Sequence, residues 1–297
     1  MIKANLLSRR FGTTLAIDEL SFEIAGGEIV GLLGLNGAGK STTMRILSGA
    51  LAPSGGSASI CGFDVMGQPE QAKRRVGYLP EVPPLHESMR VEAFLRFAAT
   101  IKGVSSPKSA TEKAMERTGL VEHRRKIIST LSKGMRQRVG IAQALIHDPE
   151  VLILDEPASG LDPAQREEIR GLIRELAESG RAVILSTHLL WEAEELCDRV
   201  IVLHQGKVAA VERMGELTVV RVTLASCDDE ARRTLVELNG GVAPNETSPG
   251  SFDLPEHLDR GEIARRLAPH GIQELLRVNL LQERFLSITG IAGGGVR

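Results

Sequence analysis

The segment Gly34–Ser41 constrains this chain more than any other part of its sequence. It reads Gly-Leu-Asn-Gly-Ala-Gly-Lys-Ser and matches the pattern G-x-x-x-x-G-K-[ST]. An apolar strand, Glu28–Leu33, precedes it, and a helical pattern, Ser41–Ser48, follows it. Glycines let backbone N–H groups turn inward around phosphate oxygens, and the helix start adds the positive end of its dipole. A glycine-rich turn that matches by chance is the competing interpretation, but the flanking strand and helix favour a phosphate loop.

The residues of this loop have separate predicted roles in binding ATP and Mg²⁺. Lys40 would supply a cation to the β- and γ-phosphates, the Ser41 hydroxyl would coordinate the metal, and Thr42 would donate to the α-phosphate. The other nucleotide-binding candidates are the remaining positions of the loop: Gly34, Leu35, Asn36, Gly37, Ala38 and Gly39.

A second motif, Val151–Glu156, consists of four apolar strand residues followed by two acids. Asp155 would lie at the carboxyl end of a parallel strand, where it could face the phosphate loop and hold Mg²⁺ mainly through water. Glu156 would be the catalytic residue that polarises the attacking water. Both acids could instead begin a solvated turn before Pro157, an alternative that the phosphate loop makes less favoured.

Composition argues against several classes of protein. The net charge of −2 provides no global basic field for nucleic acid, and an aromatic content of 3% leaves few platforms for base stacking. Three separated cysteines, Cys61, Cys197 and Cys227, favour reduced thiols over a disulfide framework or a zinc site. The N-terminus lacks the apolar run of a signal peptide, and no stretch reaches the ~18 apolar residues of a membrane helix. We therefore expect a cytoplasmic protein.

Strand and helix patterns alternate along most of the chain and predict an α/β core with a helical insertion. The opening segment is predicted to form short strands with turns. The predicted nucleotide-binding domain covers 1–216, with a helical subdomain at about 85–150. Beyond it, the order β-α-β-β-α-β over 217–290 predicts a small α+β, ferredoxin-like domain with an accessory role. Its hairpin would pair Gly241–Asn245 with Ser251–Leu254 around the turn-rich Glu246–Gly250. We expect residues 291–297 to form a flexible tail.

The segment Leu131–Arg138, Leu-Ser-Lys-Gly-Met-Arg-Gln-Arg, resembles the signature motif of ATP-binding-cassette (ABC) ATPases. The resemblance covers about residues 2–216 and implies an ABC-type P-loop NTPase core that hydrolyses ATP. In that family, Ser132 and Gly134 would contact the γ-phosphate of ATP held by a second subunit. The implied assembly is a head-to-tail homodimer with ATP at its interface. Taken alone, the segment could be an ordinary capped amphipathic helix.

Further positions match the family in order along the chain. Ser159–Asp162 looks like the D-loop, and His188 looks like the catalytic switch histidine that reaches the γ-phosphate. Phe11 is placed like the aromatic residue that stacks on adenine, although it could equally belong to the core. Glu81 stands where the family usually has glutamine; it could bind Mg²⁺ or water, or it could be a surface residue. Lys133 and Met135 also depart from the usual signature.

The Glu81 variant, the Leu-Ser-Lys-Gly-Met wording and the C-terminal extension look like a subfamily of bacterial exporters whose permease is a separate chain. This resemblance implies an ATPase subunit bound to an integral membrane permease at the cytoplasmic face of the cell membrane, as a peripheral protein. The alternative is a soluble ABC-type ATP switch acting on ribosomes or nucleic acid. One cassette, no heptad run and no basic excess disfavour that alternative, and we expect no nucleic-acid partner.

Overall fold

The computed structural model describes residues 1–290, so the predicted flexible tail at 291–297 lies outside the described residues. Backbone contacts divide the chain into two compact units, of which the first is Met1–Val211 and the second begins at Glu212. The sequence placed this boundary after residue 216. Within residues 1–290, no helix combines the length and apolar character needed to cross a membrane.

The first unit contains ten strands and seven helices within the described chain. The strands are β1 Ile2–Phe11, β2 Thr14–Ile24, β3 Ile29–Gly34, β4 Gly55–Ile60, β5 Phe63–Asp64, β6 Val76–Leu79, β7 Val151–Asp155, β8 Ala182–Ser186, β9 Arg199–His204 and β10 Lys207–Arg213, which ends just past the boundary. The helices are α1 Lys40–Leu47, α2 Pro69–Lys73, α3 Val91–Ile101, α4 Pro107–Arg117, α5 Lys133–Leu145, α6 Pro163–Glu178 and α7 Leu190–Leu196.

A six-stranded sheet with the order β10-β9-β3-β8-β7-β6 forms the centre of this unit. Strand β3 runs parallel to β8 and β9, and β7 runs parallel to β6 and β8. Every residue of β3, β7 and β8 is buried, which explains their unbroken apolar runs. Since β3 and β7 both flank β8 in parallel, the loops that follow them reach the same edge of the sheet.

A second sheet, β2-β1-β4-β5, packs against the same core. The sequence predicted short strands in this opening segment, whereas β1 and β2 are among the longest strands of the described chain. The prediction was wrong because register shifts interrupt the alternation of the pair, and Leu6 and Glu19 adopt positive φ angles.

Helices α3, α4 and α5 form the helical subdomain around their own apolar cluster, which includes Phe94, Leu95 and Met115. Apolar residues at three- and four-residue spacings predict these helices with nearly the same ends. Helix α5 begins at the predicted signature segment, because Ser132 adopts an extended conformation and its side chain accepts a hydrogen bond from the Met135 N–H.

The second unit contains a four-stranded antiparallel sheet with two helices that share its core. Its elements, in chain order, are β11 Thr218–Leu224, α8 Asp229–Leu238, β12 Asn245–Ser248, β13 Ser251–Pro255, α9 Arg260–Leu267, β14 Ile272–Asn279 and α10 Leu281–Thr289. The sheet order is β12-β13-β11-β14. The ferredoxin-like assignment stays a prediction.

One strand of this unit differs from its predicted position. The sequence placed the first hairpin strand at Gly241–Asn245, whereas β12 is Asn245–Ser248 and occupies most of the segment predicted as a turn. Gly240 and Gly241 both adopt positive φ angles directly after α8, so the chain is still turning there and cannot pair as a strand.

Candidate functional site

Close backbone approaches fix the path of the loop between β3 and α1. A Cβ atom on Gly34 would lie 2.5 Å from the carbonyl oxygen of Leu203. At Gly39, with φ of 105°, a Cβ atom would lie 2.7 Å from the carbonyl oxygen of Ala16. Within the described chain, no side chain caps the start of α1. The first-turn N–H groups of this helix are therefore available to an anion.

The Lys40 side chain is almost completely buried beside this loop, with 8% of its surface exposed. Its ammonium donates to the carbonyl oxygens of Gly34, at 2.7 Å, and Leu35, at 3.2 Å. Burial lowers the pKa of Lys40, whereas the negative charges of Glu156 and Asp155 act to raise it. An ammonium has three N–H donors, so one remains for a phosphate oxygen.

The carboxylate of Asp155 lies at the end of β7, with the residue 4% exposed. Its Oδ1 accepts hydrogen bonds from the hydroxyls of Ser186 and, at 3.4 Å, Ser41. This juxtaposition brings the predicted metal ligands together, with Ser41 from the start of α1 and Asp155 from the end of β7. Oxygen donors of this kind suit Mg²⁺.

Glu156 follows Asp155 in an unusual backbone conformation, with φ of 53°. Its N–H donates to both the side-chain and the carbonyl oxygen of Ser186, at 3.0 and 3.2 Å. Its carboxylate contacts the Nδ1 atom of His188, which lies 2.8 Å from Oε1 and 2.7 Å from Oε2. The structure therefore brings the two predicted catalytic residues into direct contact.

A cleft of about 350 Å³ lies at this edge of the sheet and combines most of the predicted residues. Phe11 lines it with an exposed ring, 43% accessible, so the alternative of a core residue is wrong. Glu81 lines the same cleft and contributes its charge to the surroundings of Lys40. The complete lining is Phe11, Ala16, Asn36, Gly37, Gly39, Lys40, Ser41, Thr42, Glu81 and Glu156.

Three predicted loop residues shape the phosphate loop without lining that cleft. Gly34 and Leu35 present carbonyl oxygens to Lys40, and Ala38 is buried. The Leu35 side chain is 37% exposed.

Ser132 and Gly134, the signature candidates, also lie outside the lining of this cleft. Ser132 is exposed and its Oγ accepts from the Met135 N–H at 3.2 Å. Gly134 is buried, and a Cβ atom there would lie 2.1 Å from Oε1 of Gln165. A larger residue here would therefore displace the end of the Gln165 side chain of α6.

Two residues that the sequence reasoning missed tie the site together. Ser186 bridges Asp155 and the Glu156 N–H, because the register of β7 against β8 places Asp155 opposite Ser186. Gln137 is 5% exposed and donates to the carbonyl oxygen of Pro157 at 3.0 Å, which links α5 to the segment after Glu156. A serine ending a buried strand next to the acidic strand was the available signal for Ser186; Gln137 left no local signal.

The family model described as ABC transporter matches residues 17–159 of the chain. YdbJ of Bacillus subtilis (strain 168), an uncharacterized ABC transporter ATP-binding protein, is 37% identical over 273 residues, 91% of this chain and 84% of the relative. The bacitracin transport ATP-binding protein BcrA of Enterococcus faecalis is 36% identical and covers 100% and 98% of the two chains. A solved ATP-binding subunit of an ABC transporter superposes with a TM-score of 0.66 at 34% identity, over 72% of this chain and 90% of that one.

The parallel sheet, the phosphate loop and the paired acids define a P-loop ATPase. Within that class, these relatives show that the chain belongs to the ATP-binding proteins of ABC transporters. It binds and hydrolyses ATP as the energy-supplying subunit of a transporter. The comparisons favour this function over an ATP switch that acts on ribosomes or nucleic acid.

Proposed function

We propose that this subunit drives export through a permease that is a separate chain. The names of three relatives support transport out of the cell and an ATP-binding subunit that is separate from the permease. They are a bacitracin transport ATP-binding protein, the daunorubicin/doxorubicin resistance ATP-binding protein DrrA of Streptomyces peucetius, and a Nod factor export ATP-binding protein of Ralstonia nicotianae. DrrA is 33% identical over 97% of this chain. These cargoes belong to the relatives.

ATP would lie in the cleft with its triphosphate in the phosphate loop and its base on the exposed ring of Phe11. A base can stack on an exposed aromatic face, and the Arg9 guanidinium lies 4.6 Å from the ring centroid. Ser41 and Asp155 would hold Mg²⁺, with Glu81 as a further oxygen donor of the same cleft. When bound, the metal neutralises charge on the phosphates.

The contact between Glu156 and His188 is the observation that carries the hydrolytic mechanism. Glu156 lines the cleft, and its side chain is only 15% exposed. Its carboxylate would orient the attacking water and accept its proton, while the His188 ring holds the carboxylate in place. The His188 side chain is 54% exposed and lies outside the lining of the cleft, and its remaining ring nitrogen would donate to a phosphate oxygen.

A head-to-tail homodimer would complete each ATP site. The signature residues Ser132 and Gly134 do not line the cleft of their own chain. The start of α5 would instead meet the γ-phosphate held by a second copy, where the helix dipole favours an anion.

The permease would dock beside Glu81, with the ATPase subunit lying peripherally at the cytoplasmic face of the membrane. Val82, the next residue, is 81% exposed, and two apolar side chains of α3, Phe97 and Ile101, are 45% and 68% exposed. Large apolar side chains at such exposure mark interaction sites when they occur together. Val82 follows Glu81 directly in the chain, which would link the cleft to the docking partner.

Substitution of Glu156 tests the hydrolytic mechanism and the dimer together. Glu156→Gln keeps the size of the side chain but removes its basicity, so we expect turnover to fall about 100-fold or more. ATP affinity should persist, and the variant should elute as a dimer with ATP and as a monomer without it. Glu178→Gln, an exposed acid at the end of α6, is the matched control. Near-normal turnover in Glu156→Gln would refute the assignment.

Docking can be tested separately in detergent-solubilised membranes. Val82→Glu and Ile101→Glu should reduce co-purification of a polytopic membrane protein with the tagged subunit, without changing its ATPase activity in isolation. Val121→Glu, at an apolar residue that is 44% exposed in the same subdomain, is the control. Equal loss in the control would remove the support for this surface.

A further inference from the structure

The loop that carries His188 rests on a buried pair of polar side chains. Thr187 is completely buried and Glu192 is 3% exposed. The Thr187 hydroxyl donates to Oε2 of Glu192 and accepts from the Leu189 N–H at 3.0 Å. A hydroxyl has a single proton to donate, so the bond to Glu192 determines where its lone pairs point.

This arrangement spans His188 on both sides. Thr187 precedes the histidine and Leu189 follows it, and the Thr187 hydroxyl joins the two across it. The backbone at His188 is thereby closed into a small hydrogen-bonded turn. The ring leaves this turn toward Glu156, with Nδ1 within 2.8 Å of the carboxylate.

A buried carboxyl group needs a reason, since burial of a charge is costly unless it is paired or hydrogen-bonded. Burial raises the pKa of Glu192, and the bond from Thr187 opposes that shift. The competing explanation is purely structural: Glu192 lies in the first turn of α7, where an acidic residue stabilises a helix through its dipole.

We propose that Thr187 and Glu192 are positioning residues for ATP hydrolysis, which act by holding His188 against Glu156. This inference rests on the proposed roles of Glu156 and His188. Thr187, Glu192 and His188 all lie outside the lining of the nucleotide cleft, whereas Glu156 lines it, so the effect of Thr187 and Glu192 on turnover passes through the contact of His188 with Glu156.

Two substitutions of Glu192 separate positioning from helix stabilisation. Glu192→Gln removes the charge but keeps an oxygen acceptor at the same reach, whereas Glu192→Asp keeps the charge and withdraws the acceptor by one methylene. Positioning predicts kcat within about threefold of the wild type for Glu192→Gln and about tenfold lower for Glu192→Asp. The helix-dipole explanation predicts the reverse order, and that order would overturn the proposal.

Thr187 provides an independent test on the full chain. Thr187→Val removes the hydroxyl at constant shape and should lower kcat about 10- to 100-fold, with the KM for ATP unchanged within about twofold. Thr187→Ser should restore most of the rate. Thr118→Val is the matched control. Thr118, directly after α4, is also buried, and its hydroxyl donates to the backbone carbonyl of Ala114. A comparable fall in kcat in the control would overturn the proposal.

A double-mutant cycle locates the effect. If Thr187 acts through His188, adding Thr187→Val to His188→Ala should lower kcat no further. A full additional loss would show that Thr187 acts elsewhere. Near-normal turnover in Glu156→Gln or His188→Ala alone would instead contradict the underlying catalytic roles, so the two failures are distinguishable. Should Thr187→Val not fold, the two Glu192 variants still decide the question.

Discussion

Two helices of the ATPase unit, α1 and α5, begin next to glycines but start in different ways. Helix α1 follows Gly39 in a left-handed conformation, and among the described residues no side chain caps it. Helix α5 follows Ser132, whose hydroxyl caps it from within the chain. The first-turn N–H groups of α1 remain open to a ligand, whereas one N–H group at the start of α5 already donates to a side chain of the same chain.

The charged residues around the two helix starts also differ. Lys40 is buried next to Asp155 and Glu156, with which it would form a site for Mg²⁺ and phosphate. Lys133 is exposed, and its ammonium would be 2.2 Å from a Cβ atom on Gly160. Under the proposed function, one chain supplies the phosphate loop, and the signature segment would contact a second molecule.

The largest expected effect is on ATP affinity, which should depend on the lysine at the start of α1 and not on the lysine at the start of α5. Lys40→Ala removes a buried cation from the phosphate loop, so ATP affinity should fall about 100-fold, measured by titration calorimetry. Lys133→Ala should change the affinity of the isolated subunit by less than about threefold. Similar losses of affinity in both variants would show that the two helix starts do not differ in their contribution to ATP binding.

Substitution of Gly134 separates helix packing from phosphate contact. In Gly134→Ala the added methyl meets the flexible end of the half-buried Gln165 side chain, which can swing aside, so the unfolding free energy should change by less than about 1 kcal/mol while turnover falls. ATP binding to the subunit should remain, because Gly134 lies outside the cleft.

A second substitution in the same background decides which role matters. Gln165→Ala removes the side chain that the added methyl meets, so any loss of stability from this contact should be absent from the double variant in urea unfolding. Turnover should stay low if phosphate approaches Gly134 from a second subunit. Recovery of turnover together with stability would assign the glycine to packing alone.

The far end of the signature helix predicts a pH effect on stability. His147 lies just after α5, and its Nε2 is 3.0 Å from the carbonyl oxygen of Val76 in β6. Burial, with the charge of Lys102 acting in the same direction, lowers the pKa of His147 to about 4 from 6.5. Between these values the unfolded chain binds more protons, so the free energy of unfolding should decrease as pH falls from 7 to 5.

The expected decrease from this residue is about 1–2 kcal/mol. Unfolding in urea can be followed by the fluorescence of Trp191, the single tryptophan, which lies in the ATPase unit. His147→Gln should flatten the pH dependence over this interval. An unchanged slope in that variant would show that other groups carry it.

The cap of α5 gives the smallest expected effect. Ser132→Ala leaves the Met135 N–H without its acceptor and should lower the unfolding free energy by about 1 kcal/mol. Ser129→Ala, at an exposed serine just before the helix, is the control. An effect much larger than that of a cap, seen without nucleotide, would mean that Ser132 has structural partners beyond its own helix.

Local patterns predict much of the ATPase unit. The buried runs of β3, β7 and β8 and the helical spacing of α3, α4 and α5 are confirmed, because burial on both faces or on one stripe leaves a direct trace in sequence. Strands β1 and β2 were misjudged, since bulges disrupt alternation and pairing is non-local. The first hairpin strand of the second unit was misplaced for a related reason: two glycines extend the turn after α8.

The chemistry of this protein can be identified from its amino-acid sequence, because a glycine-rich loop with lysine and serine, and two acids after a buried strand, are local patterns. How these groups meet depends on the tertiary structure. The register of β7 against β8 puts Ser186 between Asp155 and Glu156, and the turn at Thr187 places His188 against the same glutamate. Such contacts join residues about thirty positions apart, and pairing across a sheet depends on the whole fold rather than on neighbours in the chain.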